Sequence, residues 1–214
     1  MTRFRTVILD VDSTLSGIEG IDWLAVRHGP DVVERVSRLT ELAMSGASRL
    51  DDVFELRLSE VRPSRGDVSR LADAYMSSVA RGAAESIVAM QAAGVRVVLV
   101  SGGIREAILP LAELLGVAAD DVHAVSVSFT STGGYGGYDE ASLLSRQGGK
   151  RLVVDALDLP RPVIAVGDGV TDAELRPAVD CFVAFTGFVT RMAVVRAADA
   201  TVATFRQLQE LVLG

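Results

Sequence analysis

The chain has 214 residues, of which 49% are hydrophobic and 23% are charged, and its formal net charge is −7. The length predicts one large domain, or one domain with a smaller insert, and apolar residues throughout the chain exclude a largely disordered protein. An acidic surface repels nucleic-acid phosphates, and no apolar run reaches the roughly 18 residues of a membrane-spanning helix. We therefore expect neither nucleic acid nor membrane as a partner, and an anionic substrate would need a local pocket of positive charge.

The single cysteine, Cys181, cannot form an internal disulfide, which is typical of a reducing compartment. It lies in an apolar run, where we expect a small buried side chain rather than a nucleophile. The first residues lead directly into a strand-like run without the pattern of a signal peptide. We therefore predict a cytoplasmic protein, and we expect a monomer or a homodimer.

Short apolar runs predict buried strands at 6–9, 95–100, 163–166 and 181–185. Helical patterns alternate with them and are clearest at 104–115, 150–157 and 205–213. Because helices alternate with fully apolar strands, we predict an α/β fold, a Rossmann-like parallel sheet with helices on both faces.

The segment between the first two predicted strands is too long for a single crossover helix. Its apolar residues recur at helical spacing, first at Val32, Val36, Leu39 and Ala43 and then at Leu50, Phe54, Leu58 and Val61. A break at 63–66 is followed by a third helical pattern at 67–80. We predict that residues 17–80 form a small helical cap inserted into a core made of residues 1–16 and 81–214.

Residues 125–139 have a different pattern, in which apolar and polar side chains alternate before a glycine-rich stretch at 133–137. This pattern predicts a β-hairpin with a glycine-rich turn. It is not a dinucleotide-binding fingerprint, because the glycine spacing is wrong and no helix pattern follows directly.

Ligands of an open parallel sheet bind beyond the carboxyl ends of its strands, so polar residues that follow predicted strands are candidates for a site. Asp10 and Asp12 follow the first strand, and residues two apart on an extended chain point the same way. Two facing carboxylates repel each other unless a cation or a proton lies between them. One can act as a nucleophile and the other as acid and base, although an acidic turn that caps the next segment is the alternative.

Two further segments have the chemistry of an anion site. Ser101, Gly102 and Gly103 follow the second predicted strand, and a hydroxyl with backbone amides ahead of a helix can bind phosphate. Lys150 begins a predicted helix, where the helix dipole disfavours a cation unless an anion is bound nearby. A plain helix cap and a solvated surface lysine are the alternatives.

The last segment is Gly167-Asp-Gly-Val-Thr-Asp172, in which Asp168 follows a buried strand and Asp172 comes about one helical turn later. Both carboxylates can reach the site of Asp10 and Asp12. Carboxylate oxygens beside a phosphate suit Mg²⁺, whereas a tight turn with a helix cap is the alternative.

In order along the chain, DVDST at 10–14, SGG at 101–103, GGK at 148–150 and GDGVTD at 167–172 resemble the four motifs of the haloacid dehalogenase superfamily. Further matches to a branch that acts on a phosphorylated amino acid cover nearly the whole chain: EGIDWLA at 19–25, Ala43-Met44, Arg57, PSR at 63–65 and GGYDE at 136–140. The resemblance implies a Mg²⁺-dependent phosphatase that hydrolyses O-phospho-L-serine through an aspartyl phosphate, the last step of serine biosynthesis.

The same resemblance implies a role for each motif residue. Asp10 would attack phosphorus, and Asp12 would first protonate the leaving oxygen and then deprotonate water. The metal would be held by the Asp10 carboxylate, the Asp12 backbone carbonyl and Asp168. Asp172 would either support the metal site or pair with Lys150. The phosphoryl oxygens would be bound by Ser101, Gly102, Gly103 and Lys150.

Glu19 and Arg57 match the positions that bind the ammonium and the carboxylate of the amino acid. From the residues alone, Arg57 at the edge of an apolar helix stripe is interpreted as a side chain that extends past packed neighbours to solvent, and only the resemblance favours a role as a ligand-binding residue. Met44 would close over the substrate, and Thr171 and Arg191 match positions near the phosphate and the edge of the site. The chain departs from the pattern at Ser45, which we place in the substrate site, and at Thr186 and Phe188, so the pocket is expected to be reshaped there.

Other functions remain open on the sequence alone. One is a phosphatase or phosphotransferase that acts on another small phosphomonoester through the same aspartyl phosphate. Another is a receiver-like signalling module, against which the predicted cap and Asp12 argue. His28 and His123 lie away from the motifs, so we expect surface or packing roles and no zinc site.

Overall fold

The computed structural model describes residues 2–44 and 50–214. The strands are β1 Thr6–Leu9, β2 Arg96–Ile104, β3 Val122–Val125, β4 Val127–Phe129, β5 Tyr135–Tyr138, β6 Val163–Gly167, β7 Cys181–Phe185 and β8 Ala200–Val202. In the described part, six of them form one parallel sheet in the order β3-β2-β1-β6-β7-β8. Strands β4 and β5 pair antiparallel, which confirms the predicted hairpin.

The helices are α1 Gly20–Ala25, α2 Pro30–Met44, α3 Leu50–Val61, α4 Arg65–Ser77, α5 Ala83–Ala92, α6 Arg105–Leu114, α7 Gly149–Ala156, α8 Val170–Ala173, α9 Met192–Ala197 and α10 Phe205–Leu213. Local chemistry sets several boundaries. Ser64 and Asp67 form a reciprocal capping box at the start of α4, and Thr204 and Gln207 do the same for α10. Among the described residues, no helix is both long and apolar enough to span a bilayer.

The sheet is covered on both faces, because every residue of β1 and of β6 is buried. Helix α6 packs against β2 and β3, whereas α5 packs against α10 and β2. Each fully buried aliphatic side chain of these strands contributes roughly 1.5–3 kcal/mol. The sheet is therefore a well-packed support for the residues at its carboxyl edge, and the predicted α/β fold is confirmed.

Helices α1 to α4 lie between β1 and α5 along the chain. Helices α1, α2 and α3 contact one another, and α4 packs against both α1 and the core helix α6. The two connections to the core run side by side, since the amide of Gly17 donates to Ser78 O at 2.9 Å and the amide of Ala80 donates to Leu15 O at 2.9 Å. We propose that residues 17–80 form a cap on a core of 1–16 and 81–214, and we call these paired connections the neck.

The hairpin of β4 and β5, which we call the flap (residues 127–138), packs on the helices of the cap. The Arg65 guanidinium lies 4.8 Å from the centre of the Phe129 ring, and its amide donates to Gly133 O at 2.9 Å. Phe54 of α3 meets Tyr138 edge-on, with ring centres 5.3 Å apart. The flap therefore connects the cap to the part of the core that follows β3.

Two sequence predictions about the second strand and the third cap helix are corrected. Strand β2 does not end at Ser101 but continues to Ile104, with a shift of its register against β3, so Ser101, Gly102 and Gly103 lie in the strand, directly ahead of α6, which begins at Arg105. The third cap helix begins at Arg65, two residues earlier than predicted, because Ser64 caps it, and it ends at Ser77 rather than at residue 80.

The structure also bears on two predictions about single residues. His123, for which we expect a surface or packing role, lies inside β3, and burial lowers the pKa of its imidazole. Cys181 is half-buried rather than buried, because it is the first residue of β7, at the rim of the sheet. In the parallel ladder of β2 and β3, His123 pairs with Val100, the residue directly before Ser101.

Candidate active site

The candidate site lies where the strand order reverses. From β1 the chain first adds β2 and β3 on one side and later adds β6, β7 and β8 on the other, so a crevice opens between β1 and β6. A pocket at this carboxyl edge is lined by Asp10, Asp12, Glu19, Ile21, Phe54, Arg57, Ser101, Gly102, Gly103, Leu144, Arg146, Gly149, Lys150, Asp168, Thr171 and Glu174. Residues from the core and from the cap thus line the same pocket.

Lys150 is the only lysine of the chain, and it lies between two carboxylates. Its ammonium is 2.7 Å from Asp10 Oδ1 and 2.6 Å from Asp172 Oδ1, and 7% of the residue is exposed. Burial by itself lowers the pKa of Lys150, but the charges of Asp10 and Asp172 outweigh burial and raise it above its ordinary value. The lysine therefore keeps its charge inside the pocket.

The position of Lys150 depends on the glycine before it. A β-carbon at Gly149, the first residue of α7, would lie only 1.6 Å from the carbonyl oxygen of Leu143. Gly148 has a φ of 71°, in the left-handed region that favours glycine. Both glycines are thus required for the close approach that brings Lys150 to Asp10.

Asp10 follows β1 and is almost fully buried. Burial raises the pKa of its carboxyl well above the ordinary value, and the charge of Asp172 adds to this, whereas the Lys150 ammonium opposes it. Since the ammonium holds the Asp10 carboxylate at 2.7 Å, one oxygen of a candidate nucleophile is fixed at the mouth of the sheet.

Asp168 and Asp172 follow β6 and are held by separate partners. The Thr14 hydroxyl donates to Asp168 Oδ1 at 2.9 Å, and Arg191 donates to Asp168 Oδ2. Burial and the charge of Asp172 raise the pKa of Asp168 to about 6. Asp172 accepts the amide of Gly169 at 3.0 Å in addition to the Lys150 ammonium, and so it acts as a partner of Lys150.

Three buried carboxylates form a candidate metal site. Asp10, Asp168 and Asp172 each have one carboxylate oxygen within 4.8 Å of those of the other two. Such a cluster is repulsive, and a divalent cation with oxygen ligands would offset the repulsion. The donor set of three buried carboxylates therefore fits a divalent metal ion.

The two oxygens of Asp12 have different surroundings. Oδ1 accepts the Tyr75 hydroxyl at 2.7 Å and the Gly20 amide at 2.9 Å. Oδ2 faces Gly103, where a β-carbon would lie 3.1 Å from it. Burial raises the pKa of the Asp12 carboxyl, although the hydrogen bonds from Tyr75 and Gly20 act in the opposite direction. The carboxyl is therefore biased towards its acid form, which suits a proton donor.

The segment 101–103 meets the pocket as extended backbone. All of its residues line the pocket, and Ser101 is buried. The Gly103 amide donates to Ser101 Oγ at 3.0 Å, so it is already engaged and does not point freely at a ligand. At this edge, the Ser101 hydroxyl, Gly102 and Lys150 therefore remain as candidate groups for an anion.

Glu19 and Arg57 place opposite charges on the cap side of the pocket. The Ser13 hydroxyl donates to Glu19 Oε1 at 2.8 Å, and burial with the charge of Asp12 raises the pKa of Glu19 to about 8. Arg57 donates to Asp22 Oδ2 at 3.1 Å, and its buried Nε has no hydrogen-bond partner within the described structure. An unpartnered buried donor beside a pocket is a group that a ligand can satisfy.

Of the remaining residues predicted to bind substrate, one lines the pocket and one lies behind it. Thr171 is buried and lines the pocket. Arg191 does not line it but donates to Asp168 and lies 3.9 Å from Glu19, which places it behind the site. Met44 is the last residue of α2, and its side chain is not described, whereas Ser45 lies outside the described residues.

The stretch around Phe188, where the chain departs from the family pattern, packs at the neck. A β-carbon on Gly17 would lie 2.7 Å from the ring of Phe188, and the rings of Phe185 and Phe188 are 6.0 Å apart. The departure therefore changes the surface beside the neck rather than the carboxylate cluster.

Sequence reasoning missed the residues that support the site from a distance. Tyr75 binds Asp12 across 63 positions, and Asp22 binds Arg57 across 35, and no local pattern signals such pairs. Ser13 and Thr14 follow Asp12 directly and were present in the first motif. Ser13 has a positive φ of 52°, which is unusual for a residue with a side chain and turns its hydroxyl to Glu19.

Comparison with known proteins agrees with this geometry. The model of the haloacid dehalogenase-like hydrolase family matches residues 7–175. The phosphoserine phosphatase of Bos taurus is 35% identical over 205 residues, which cover 94% of this chain and 90% of that protein. The chain therefore belongs to the haloacid dehalogenase-like hydrolases, as its four motifs predict.

Within this family, a second phosphoserine phosphatase is similar to this chain over most of its length. The phosphoserine phosphatase of Homo sapiens is 37% identical over 191 residues, 88% of this chain and 84% of that protein. A solved structure of a substrate-bound phosphoserine phosphatase complex has a TM-score of 0.84 and 22% identity, and the match covers 99% of this chain and 100% of that one. That structure shares the fold of this chain.

Proposed function

We propose that the protein is a phosphatase that hydrolyses O-phospho-L-serine to L-serine and phosphate, the last step of serine biosynthesis. The observation that carries the proposal is the joint placement of Asp10 beside Lys150 and of Asp12 with one oxygen facing the same pocket. A nucleophile, an acid and a cation for the phosphate are thereby assembled at one point. The similarity to the bovine and human phosphoserine phosphatases supports the substrate.

In the first step the Asp10 carboxylate attacks phosphorus, and the bond between phosphorus and the serine oxygen breaks. Asp12, in its acid form, gives its proton to that oxygen, so serine leaves as a neutral alcohol. The products are an aspartyl phosphate on Asp10 and an Asp12 carboxylate. Lys150, with its ammonium at 2.7 Å from Asp10, offsets the negative charge of the transferring group.

In the second step a water molecule attacks the phosphorus of the aspartyl phosphate. The Asp12 carboxylate takes a proton from that water, the bond to Asp10 breaks, and phosphate is released. Asp10 returns as a carboxylate and Asp12 as an acid, so the cycle balances. Dividing the reaction in this way gives each step a lower barrier than direct attack of water.

Mg²⁺ is the ion we propose for the carboxylate cluster. Asp10, the Asp12 carbonyl and Asp168 would hold it, with Asp172 supporting the site through Lys150. When bound, it would neutralise charge on the phosphoryl group and on the two aspartates. The support for it is the set of three buried carboxylates and the preference of Mg²⁺ for a few carboxylates together with substrate phosphate.

The amino-acid part of the substrate would be recognised from the cap. Glu19 faces the ammonium and Arg57 the carboxylate, through the free Nε and the guanidinium edge that does not bind Asp22. The phosphoryl group would be bound by Ser101, Gly102 and Lys150. Thr171 borders the same pocket, and Arg191 would fix Asp168 and Glu19 from behind.

The test is phosphate release from O-phospho-L-serine, O-phosphothreonine, phosphoethanolamine and p-nitrophenyl phosphate, each with and without Mg²⁺. Asp10→Asn is the blank, and trapping of phosphate on Asp10 is followed by mass spectrometry. We expect Mg²⁺-dependent release that is fastest with phosphoserine and absent in the variant. Release from the aryl phosphate but not from phosphoserine would overturn the substrate and leave a phosphatase for another small phosphomonoester. A stable phosphoprotein without turnover would instead favour phosphotransfer or signalling.

A small phosphorylated amino acid is the only partner that we propose. A cytoplasmic location and a monomeric or homodimeric state are further predictions, which fractionation and light scattering would test. The lone cysteine supports a cytoplasmic location. The negative net charge of −7 argues against nucleic acid as a partner.

A further inference from the structure

Tyr75 is the largest polar side chain that is fully buried beside the catalytic carboxylates, with 0% of its surface exposed. It belongs to α4, which packs on α1 of the cap and on the core helix α6. Its hydroxyl donates to Asp12 Oδ1 at 2.7 Å, and no other hydrogen bond of that hydroxyl is recorded within the described residues. The hydroxyl of this buried side chain is therefore directed at the Asp12 carboxyl.

We propose that Tyr75 is a positioning residue that fixes the Asp12 carboxyl with Oδ1 turned to the cap and Oδ2 turned to the reacting oxygen. The inference rests on the proposed function, because it assigns to Asp12 the transfer of a proton to the leaving alcohol. It adds to that function the residue and the atom through which the transfer is aligned.

The geometry at Asp12 supports this assignment. Two donors, the Tyr75 hydroxyl and the Gly20 amide, occupy Oδ1. A carboxylic acid that carried its proton on Oδ1 would bring that proton against two donor hydrogens, which is unfavourable. The proton is therefore carried on Oδ2, the oxygen that faces Gly103 and the pocket.

Gly20, which lies against the Tyr75 hydroxyl, has no side chain that would block the contact with Asp12. A β-carbon on Gly20 would lie 2.1 Å from the Tyr75 hydroxyl oxygen and 3.0 Å from the ring carbon that bears it. Only glycine lets the backbone amide and the phenol reach the same oxygen. Ser16, near the neck, donates to Tyr75 O at 3.2 Å and ties this turn of α4 to the loop that carries Asp12.

Loss of the Tyr75 hydroxyl should affect substrates differently according to how readily their leaving group departs. A serine alkoxide is a poor leaving group and needs the proton from Asp12, whereas p-nitrophenolate leaves readily without one. If Tyr75 acts by aligning Oδ2, its hydroxyl is important for phosphoserine and nearly irrelevant for p-nitrophenyl phosphate. A merely structural role would reduce both reactions alike.

The experiment compares kcat/KM for phosphoserine and for p-nitrophenyl phosphate in the wild-type protein and in Tyr75→Phe. The substitution keeps the ring and removes only the hydroxyl. We expect the phosphoserine reaction to fall on the order of tenfold, as for the loss of one hydrogen bond to a carboxyl that becomes charged as it gives up its proton, and the aryl phosphate reaction to change by less than about threefold. Tyr135→Phe, which removes a phenol from the flap outside the site, is the matched control and is expected to leave the ratio of the two reactions unchanged.

The ratio of the two values does not depend on the fraction of folded protein, so partial unfolding of Tyr75→Phe cannot imitate the effect. An equal fall of both reactions, or no fall in either, would overturn the proposal. If the wild-type protein rejects phosphoserine, the proposed function fails, and the comparison is made with an alkyl phosphate that it accepts. A ratio that still changes in Tyr75→Phe would keep the positioning role, and an unchanged ratio would remove it.

Discussion

The Arg57 guanidinium and the Asp22 carboxylate lie 3.1 Å apart, and only 6% of the Arg57 side chain is exposed. Asp22 also accepts the Thr40 hydroxyl, so the anion of the pair is anchored to α2. Arg57 is thus held in one orientation while its Nε remains without a partner in the described structure. A cation fixed in this way can bind a second carboxylate without reorganising, which is the role we propose for it towards the substrate.

We expect Arg57→Ala to raise KM for phosphoserine by roughly 10- to 100-fold, because a hydrogen-bonded charge pair contributes about 1.5–3 kcal/mol. Phosphoethanolamine has no carboxylate, so its kcat/KM should be nearly unchanged in the same variant. Steady-state kinetics with both substrates checks this. Arg35→Ala, which removes an exposed arginine paired with Glu60, is the control. An equal loss for both substrates would contradict the assignment of Arg57 to the carboxylate.

Substitution of Lys150 should affect both activity and the pH dependence of stability. In Lys150→Met, Asp10 loses the cation that opposes the effect of burial, so its folded-state pKa rises further above that of the unfolded chain. A raised carboxyl pKa gives stability at low pH that is lost as pH rises, so the variant should be least stable in alkaline buffer. Urea unfolding without metal from about pH 5 to 8 measures this. Activity should fall by at least about a hundredfold, since the phosphoryl group loses its cation.

Lys150→Arg is the matched variant for that experiment. It keeps the charge between the two carboxylates, so the loss of stability with rising pH should be much smaller than in Lys150→Met. An identical pH dependence in both variants would show that the charge at position 150 is not what stabilises the pair.

Glu19 should contribute to the pH dependence of stability in the protein without substrate. Its pKa of about 8 lies above the ordinary value of a glutamate, so between these values the folded state binds a proton that the unfolded chain releases. Stability then falls as pH rises from about 4.5 to 8, by up to about 1.4 kcal/mol per pH unit. Glu19→Gln should reduce this slope in urea unfolding, whereas Glu34→Gln, on the exposed face of α2, should leave it intact. A slope unchanged by Glu19→Gln would mean that the carboxyl is already ionised.

The proposed metal site is tested by binding rather than by activity. A ligand that binds only the folded state raises Tm as its concentration passes its Kd, so Mg²⁺ should raise the Tm of the wild-type protein. We expect Asp168→Asn to lose most of this rise, because it removes one of the three clustered carboxylates. Asp199→Asn, a carboxylate paired with Arg176 at the surface, should retain it. The same Mg²⁺-induced rise in all three proteins would place the ion elsewhere.

The contact between Gly20 and Tyr75 predicts a non-additive pair of substitutions. Gly20→Ala should lower the phosphoserine reaction strongly in the wild-type background, because its β-carbon would displace the Tyr75 hydroxyl from Asp12. In the Tyr75→Phe background that hydroxyl is already absent, so Gly20→Ala should cost much less. A double-mutant cycle on kcat/KM measures the coupling. Purely additive losses would show that the two residues act independently on the site.

Much of the architecture was predictable from local signals. The strands β1, β6 and β7 are short apolar runs because they are buried on both faces, and the hairpin of the flap has its glycine-rich turn. Strands β3 and β8 were not predicted, because they are short and partly exposed and so lack a continuous apolar run. The extension of β2 through two glycines was equally hidden, because glycine usually ends a strand, whereas here the register shifts against β3.

The residues of the site likewise fall into those that local sequence signals predict and those that only tertiary packing brings together. Its motif residues were predictable because each follows a strand within a few positions. The pairing of Lys150 with Asp10 and Asp172 was only half predicted, since the sequence gives no distance between the segments. Tyr75 and Asp22 were not predictable, because their partners lie far away along the chain and are brought near only by helix packing in the cap.

The neck has an evolutionary consequence. In the division that we propose, the cap begins at residue 17 and ends at residue 80, and the backbone hydrogen bonds of the neck make these two ends neighbours in space. An insert with adjacent ends can be lengthened, shortened or exchanged as a module without changing the path of the chain on either side. The carboxylates of the core would survive such an exchange, whereas Glu19, Arg57 and Tyr75 would be replaced together. New substrates can therefore be acquired by recombination at one junction, while the phosphoryl-transfer chemistry of the core is inherited unchanged.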